Sequence, residues 1–339
     1  MPTFRVASVT GLLAERRGLQ RVDTDLGRAF VLTQLTGPVA VGDPVVLNTT
    51  AVDLDLGTGG WHVVHWNLAR DSWSEPGPGH LMKLRYTSLQ VDTGAAEEAH
   101  PDLPPSLDGV PVVACGLHSQ VAPVVVAARA VVPMARVSYV MTDGAALPLA
   151  LSDLVADLRT AGLLAGTITV GHAFGGDLEA VSVPGALALA RHVQQADVVV
   201  VSMGPGVVGS GSPLGTTAVE VAAVLDTAAA LGGRPVAALR MSSGDERPRH
   251  QGLSHHARTA LGLTRSRVLA PVPKGQGVDG LERHEVVEVE PPDVAALLAA
   301  AGLTVTTMGR GPAEDPLFFA AAAAAGHVAG TLIAQWPPR

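Results

Sequence analysis

The sequence predicts an α/β fold, a mostly parallel, doubly wound sheet with helices on both faces, preceded by a small N-terminal β-barrel of the SH3-like or OB-like kind. Three observations carry this. The residues up to Leu68 fall into short runs rich in β-branched and aromatic residues, punctuated by glycine, the pattern of short strands closing on themselves. From Val110 onward, apolar runs without alternation take turns with longer helical stretches; strands apolar on both faces belong in a parallel sheet covered by helices. Finally, 47% of the 339 residues are hydrophobic and only 16% are charged, enough apolar material for one large domain and a small one.

The barrel strands read as FRVASVTG, LQRVDTDL, RAFVLTQLTG, DPVVLNTTAVDL and WHVVHWNL, giving a barrel domain over residues 1–75. Residues 76–109 are dense in proline and glycine and read as a connection, with LMKLRYTSLQV as a candidate strand inside it. The α/β domain spans 110–339. Its candidate strands are VPVVACG, RVSYVMTDG, GTITVGH, DVVVVSMG, RPVAALRMS, SRVLAPVP, EVVEVE and LTVTTMG. Between them lie the helical stretches QVAPVVVAARAVV, LALSDLVADLRTAG, Gly185 to Gln195, TTAVEVAAVLDTAAALGG, SHHARTALGL and PPDVAALLAAAG. The last helix, Leu317 to Ala334, is uncharged and contains Gly326-x-x-x-Gly330, which imitates a membrane span with a packing motif. Its alanines and glycines gain little in lipid. Asp315 as N-cap and Pro316 at the first helical position mark it instead as a buried helix of a soluble protein.

Charge narrows the function. A formal net charge of -8 argues against a nucleic-acid partner, because a phosphate backbone is held by dense Lys and Arg. Lys83 and Lys274 are the only lysines, so the basic chemistry is almost all guanidinium, suited to bidentate recognition of carboxylate or phosphate. The single cysteine, Cys115, cannot form an internal disulfide and fits a reducing compartment, and the N-terminus has no signal-peptide pattern; the expectation is a cytoplasmic protein. Self-association stays open.

In an open parallel sheet, ligands bind beyond the carboxyl ends of the strands. There the sequence places His118, Asp143, His172 and Asp177, the candidate catalytic residues, each after an apolar run. The fourth run ends at Ser202 and opens into five glycines, Gly204, Gly206, Gly209, Gly211 and Gly215. Gly204-Pro-Gly206-Val-Val-Gly209 matches the spacing of a dinucleotide fingerprint, but Ser210 to Gly215 intervene before the helix and the ribose-binding acid is missing. What survives is a cradle of backbone amides able to hold phosphate or carboxylate. The loop Ser242 to Leu253 is long for such a connection and brings Arg247 and Arg249 as an anion clamp, followed by His255 and His256. The plainer alternative is a solvated loop in which Asp245 and Arg247 pair with each other. A divalent metal is a rival occupant: His118, Asp143, His172, Asp177 and one of His255 or His256 are ligands of the right kind, although no local metal signature occurs. Cys115 at the rim is a candidate nucleophile or a buried core thiol.

The motifs GDPVVLNTTAVDLDLGTGG, MKLRYTSLQ, GLHSQ, MTDGAALP, GHAFGGDLEAV, MGPGVVGSGSPLG and RHQGLSHHARTALG resemble those of a bacterial family known only as domain of unknown function 3866, over about Gly42 to Pro273. The resemblance implies no activity. It groups His118, Asp143, His172, Asp177, Gly204 to Gly215 and Arg249 to His256, the same rim. Three functions follow as expectations: a hydrolase or transferase on a small phosphorylated or nucleotide-like ligand, with the His and Asp groups moving protons; a metal-dependent hydrolase using those groups as ligands; or a noncatalytic sensor or scaffold whose barrel docks a partner.

Overall fold

The computed structural model describes residues 1–335 apart from 58 and 80, and divides into two compact units, Met1–Gly94 and Ala95–Arg339.

In the first unit, β1 (Phe4–Arg16), β2 (Leu19–Thr24), β3 (Gly27–Val31), β4 (Pro44–Asn48) and β5 (His62–Asn67) close into a barrel of order β1-β2-β3-β5-β4. Only β3 and β5 pair in parallel, which is the Greek-key arrangement of the OB-like alternative. Every second residue points inward, so Val22, Ala29, Val31, Val45, Leu47 and Val64 form a dry interior. Two runs read as long strands are shorter than expected: after Val31 and Asn48 the chain turns into single helical turns, α1 (Thr33–Thr36) and α2 (Thr50–Asp53). Trp61 is half-buried, stacked on Phe30 at 4.7 Å with Arg28 over its ring. LMKLRYTSLQV supplies only a short ribbon, β6 (Met82–Lys83) against β7 (Val91–Asp92).

The second unit begins with α3 (Ala96–Ala99) and then alternates. β8 (Pro111–Cys115), α4 (Val121–Val131), β9 (Val137–Thr142), α5 (Asp153–Thr160), β10 (Gly166–Val170), β11 (Leu178–Ala180), α6 (Val183–His192), β12 (Val198–Met203), α7 (Glu220–Ala230) and β13 (Arg234–Ala238) come first. A small hairpin, β14 (Met241–Ser242) with β15 (Gly252–Leu253), precedes α8 (His255–Leu263), β16 (Leu269–Pro273), β17 (Glu285–Val289), α9 (Val294–Ala300) and α10 (Pro316–Ala334). Eight strands form one all-parallel sheet, β11-β10-β9-β12-β8-β13-β16-β17. β8, β9, β10 and β12 are buried along their whole length, the reason their sequences lack alternation. LTVTTMG does not join the sheet. Leu303, Val305 and Thr307 bury alternately, as in a strand, yet only an isolated Thr307–Arg310 bridge forms, because this extended segment packs its apolar residues against the helical layer.

Helix α10 belongs to that layer. By length and composition it qualifies as a membrane span, but 61% of its apolar window is buried inside the unit. The Gly326/Gly330 pair serves helix packing in water: a Cβ at Gly326 would fall on the Val124 carbonyl of α4, and one at Gly330 would come 2.8 Å from the Ala128 carbonyl.

The two faces decide where a ligand can enter. α4, α5, α9 and α10 pack with the sheet residues Val113, Tyr139 and Val200; α6, α7 and α8 pack with Val112, Val140 and Val199 on the other side. The connection leaving β8 therefore crosses one face, while those leaving its neighbours β12 and β13 cross the other. This divergence opens a crevice beyond the carboxyl ends of β12, β8 and β13, the topological switch point.

Candidate functional site at the carboxyl ends of the strands

His118 stands just past β8 and is locked. Its Nδ1–H faces the Met203 carbonyl at 3.1 Å and the Tyr139 hydroxyl at 3.1 Å, Tyr139 donates to the Ser202 carbonyl, and the Ser152 hydroxyl meets Nε2 at 2.7 Å. Ser152 in turn caps α5 by accepting the Val155 amide. With both ring nitrogens engaged, the imidazole has no lone pair left for a metal. Burial, opposed only by the Met203 carbonyl, pushes its pKa down to about 4, so it is neutral at pH 7 and ties β8, β9, α5 and β12 together.

Asp143 and His172 come together at the same rim, the Asp143 carboxylate accepting the His172 backbone amide at 2.9 Å. Glu220, at the start of α7, joins them. It accepts the Thr142 hydroxyl at 2.6 Å, and its pKa is raised, first by burial and then by repulsion from Asp143, against the Thr142 bond. Asp177 is not part of this group. The loop after β10 doubles back, and Asp177 accepts the amide and hydroxyl of Thr167 while pairing with Arg159 at 2.9 Å. Thr167 lies at the beginning of β10, so Asp177 sits at the amino end of the sheet, away from the crevice.

The glycine loop leaves β12 at the same rim. Ser202, one residue before the end of β12, is buried within the sheet. Gly204 lacks a side chain because the Ala146 carbonyl presses on it, and Gly206 has φ +93°, a left-handed conformation that favours glycine. Beyond them the loop is closed on itself: Ser210 N bonds Gly215 O at 2.6 Å, Thr217 N bonds Val208 O at 2.9 Å, and Ser212 N bonds Ser210 Oγ at 3.2 Å. Several amides expected to await an anion are therefore satisfied internally. Gly209 abuts the His256 ring, whose Cε1 would lie 3.1 Å from an added Cβ, whereas Gly211 has open space around it.

Across the crevice, the loop after β13 is organised around two buried carboxylates. Asp245 takes a bidentate grip from Arg247, at 2.8 and 2.7 Å, and longer contacts of 3.4 Å from Arg240 and Arg310. These bonds, with Arg247 foremost, hold its carboxyl far below the usual carboxylate range. Asp315 accepts from Ser242 Oγ at 2.6 Å, from the Ser243 amide and from Arg310. Arg247 is thus committed to Asp245, the self-pairing alternative, while Arg249 stays exposed.

Behind this network lie three imidazoles. His250, His255 and His256 each bring a ring nitrogen within 4.8 Å of the others, with ring centroids 4.0 to 5.2 Å apart. Burial and the neighbouring arginines lower all three, His250 to about 3 and His256 to about 4. Among the described residues, these three are the group of His, Cys, Asp and Glu side chains placed to share a metal ion; the set His118, Asp143, His172 and Asp177 is not assembled. Cys115 is buried, and burial pushes its thiol up, away from the thiolate a nucleophile needs.

A family model described as a protein of unknown function, DUF3866, matches residues 28–326. The chain belongs to the DUF3866 family. No curated protein and no solved structure matches it. The DUF3866 match leaves out β1 and β2 of the barrel and spans the whole sheet and every residue of the crevice described above. Of those residues, Glu220, Tyr139, Ser152, Arg310 and Asp315 were not singled out as site residues by the sequence. Glu220 and Ser152 had a signal, an acid and a cap at helix starts; Tyr139, inside a buried strand, had none.

Proposed function

We propose that the crevice at the switch point binds a small anionic molecule, phosphorylated or nucleotide-like, in a soluble, cytoplasmic protein. One observation carries the reading: an apolar pocket lined by Gly116, Ala218, Val221, Ala237 to Leu239, Ala257, Ala260 and Leu261, with Arg240 and His256 as its polar lining residues. An apolar cleft with few polar groups is the usual form of a small-molecule site. The cavity is only about 20 Å³, so it seats no more than an apolar edge of the ligand, while guanidinium suits its anionic group. Arg240 is buried, and although burial lowers its pKa to about 10, it stays charged at neutral pH. Its contact to Asp245 through Nη2 is long, at 3.4 Å, so an anion can compete for it. Arg249, exposed on the same loop, is the second cation within reach, acting electrostatically on His255. The glycine loop supplies none of the residues that line this pocket, so it is not its cradle.

The test is a thermal-shift panel of inorganic phosphate, nucleotides and sugar phosphates. A ligand at a hundred times its dissociation constant adds about 2.7 kcal/mol of stability. Ala257→Leu fills the pocket and Arg249→Ala removes the exposed cation, and both should cut the shift while leaving the unliganded protein folded. No shift across the panel, or an equal shift in both variants, rejects the reading.

A further inference from the structure

We infer that His250, His255 and His256 form a binding site for one transition-metal ion of the zinc class, with its fourth coordination position open to an anion. The site shares His256 and the neighbouring Arg240 with the pocket proposed above but needs no ligand in that pocket.

Local structure brings the three rings together. His250 closes the 3₁₀ turn Pro248–His250, and His255 and His256 are the first residues of α8. Ser254, buried between them, caps α8 through the His256 amide and also meets His250 Nδ1 at 2.8 Å. With Nδ1 protonated and bonded to Ser254, His250 keeps Nε2 as a lone-pair donor. A metal-binding histidine almost always has such a partner on its other nitrogen.

The second observation is an unmet need. His256 is 4% exposed with the Ser210 and Ser212 backbone beside its ring, and the Nε2 atoms of both His255 and His256 are buried without a hydrogen bond of their own. Buried polar atoms are paired with few exceptions, and two exceptions within one cluster of three rings ask for a common partner. Ligand nitrogens around a tetrahedral zinc, at about 2.0–2.1 Å from the ion, are roughly 3.3 Å apart. The ring nitrogens lie within 4.8 Å of one another, so binding requires the stacked His255 and His256 rings to splay and draw their nitrogens onto the ion.

Chemistry selects the ion. Three imidazoles with no carboxylate or thiolate among them suit zinc, cobalt, nickel or copper and not magnesium or calcium. Burial also holds the rings neutral, the form that binds metal. The field of Arg240 and Arg249 opposes a bare dication, however. An anion on the open position, bridging the metal and the guanidinium groups, offsets that repulsion, so metal and anion should bind together more tightly than either alone.

Full-length protein stripped with a chelator and dialysed is titrated with Zn²⁺ by calorimetry and with Co²⁺ by visible absorption, each with and without inorganic phosphate. We expect one equivalent of metal, the absorption bands of four-coordinate Co²⁺, and tighter uptake with phosphate present. His255→Ala, at a half-buried helix start where alanine is tolerated, should weaken uptake by more than the ~10–100-fold that follows loss of an outer partner, with an unchanged circular dichroism spectrum. His172→Ala should leave uptake intact. Absence of stoichiometric metal, or uptake that His255→Ala leaves unchanged, overturns the inference. A phosphate-dependent thermal shift in protein that takes up no metal would overturn it while sparing the anion site.

Discussion

Acidification should destabilise the α/β unit through His118, and by a calculable amount. The ring is neutral in the fold because burial lowers its pKa from the ordinary 6.5 to about 4. Between those two values the unfolded chain binds a proton that the folded chain refuses. His118 therefore contributes full stability above about pH 6.5, and that contribution drains away as the pH falls toward about 4. At about 1.4 kcal/mol for each tenfold change in proton affinity, the whole effect is on the order of 3 kcal/mol, a large part of the ~5–15 kcal/mol that usually separates folded from unfolded domains. The measurement is denaturant unfolding, followed by circular dichroism, of wild type and His118→Gln near neutrality and at about pH 4.5. His250 and His256 are common to both proteins, so the difference in their pH slopes isolates His118. Wild type should lose up to roughly 3 kcal/mol more than the variant over that interval. An equal slope, or a His118 resonance titrating near neutrality, would refute the structural lock and return this residue to the proton-transfer role, which requires a pKa near the working pH.

Two further outcomes follow from packing. Gly326→Ala gains helix propensity worth about 1 kcal/mol, but its methyl meets the Val124 backbone, which cannot rotate aside; a net loss of about 1–3 kcal/mol is expected, seen as a lower denaturant midpoint with an unchanged slope. Cys115, enclosed at the end of β8 with its thiol pushed up by burial, should resist alkylation in the native state and react at the rate of unfolding, and rapid native labelling would contradict that placement.

The fold was legible where burial is uniform. VPVVACG and DVVVVSMG are apolar on both faces because both faces are covered, and they lie side by side in the sheet as β8 and β12. LTVTTMG misleads for a physical reason: alternating burial of Leu303, Val305 and Thr307 requires an extended chain above an apolar surface, and here that surface is helical, so the period appears without a pairing strand. The three-residue β11 escaped notice since it is too short to leave a period. The site was half legible. Strand-end position brought Asp143, His172, His255 and His256 correctly to the rim, but Asp177 follows a loop that reverses, and sequence order does not reveal reversal. Arg247 looked like a clamp, and only the depth of Asp245 shows where its charge is spent.

Asp315 gives the loop after β13 an unusual dependence. This carboxylate, fully enclosed, begins α10 and holds Ser242, Ser243 and Gly244, some seventy residues earlier in the chain. A polypeptide interrupted before that point lacks both this tether and α10, whose Phe318 and Phe319 fill the core beside α4. Under the proposed anion-binding reading, the loop takes its binding shape only once the chain has been completed past residue 315.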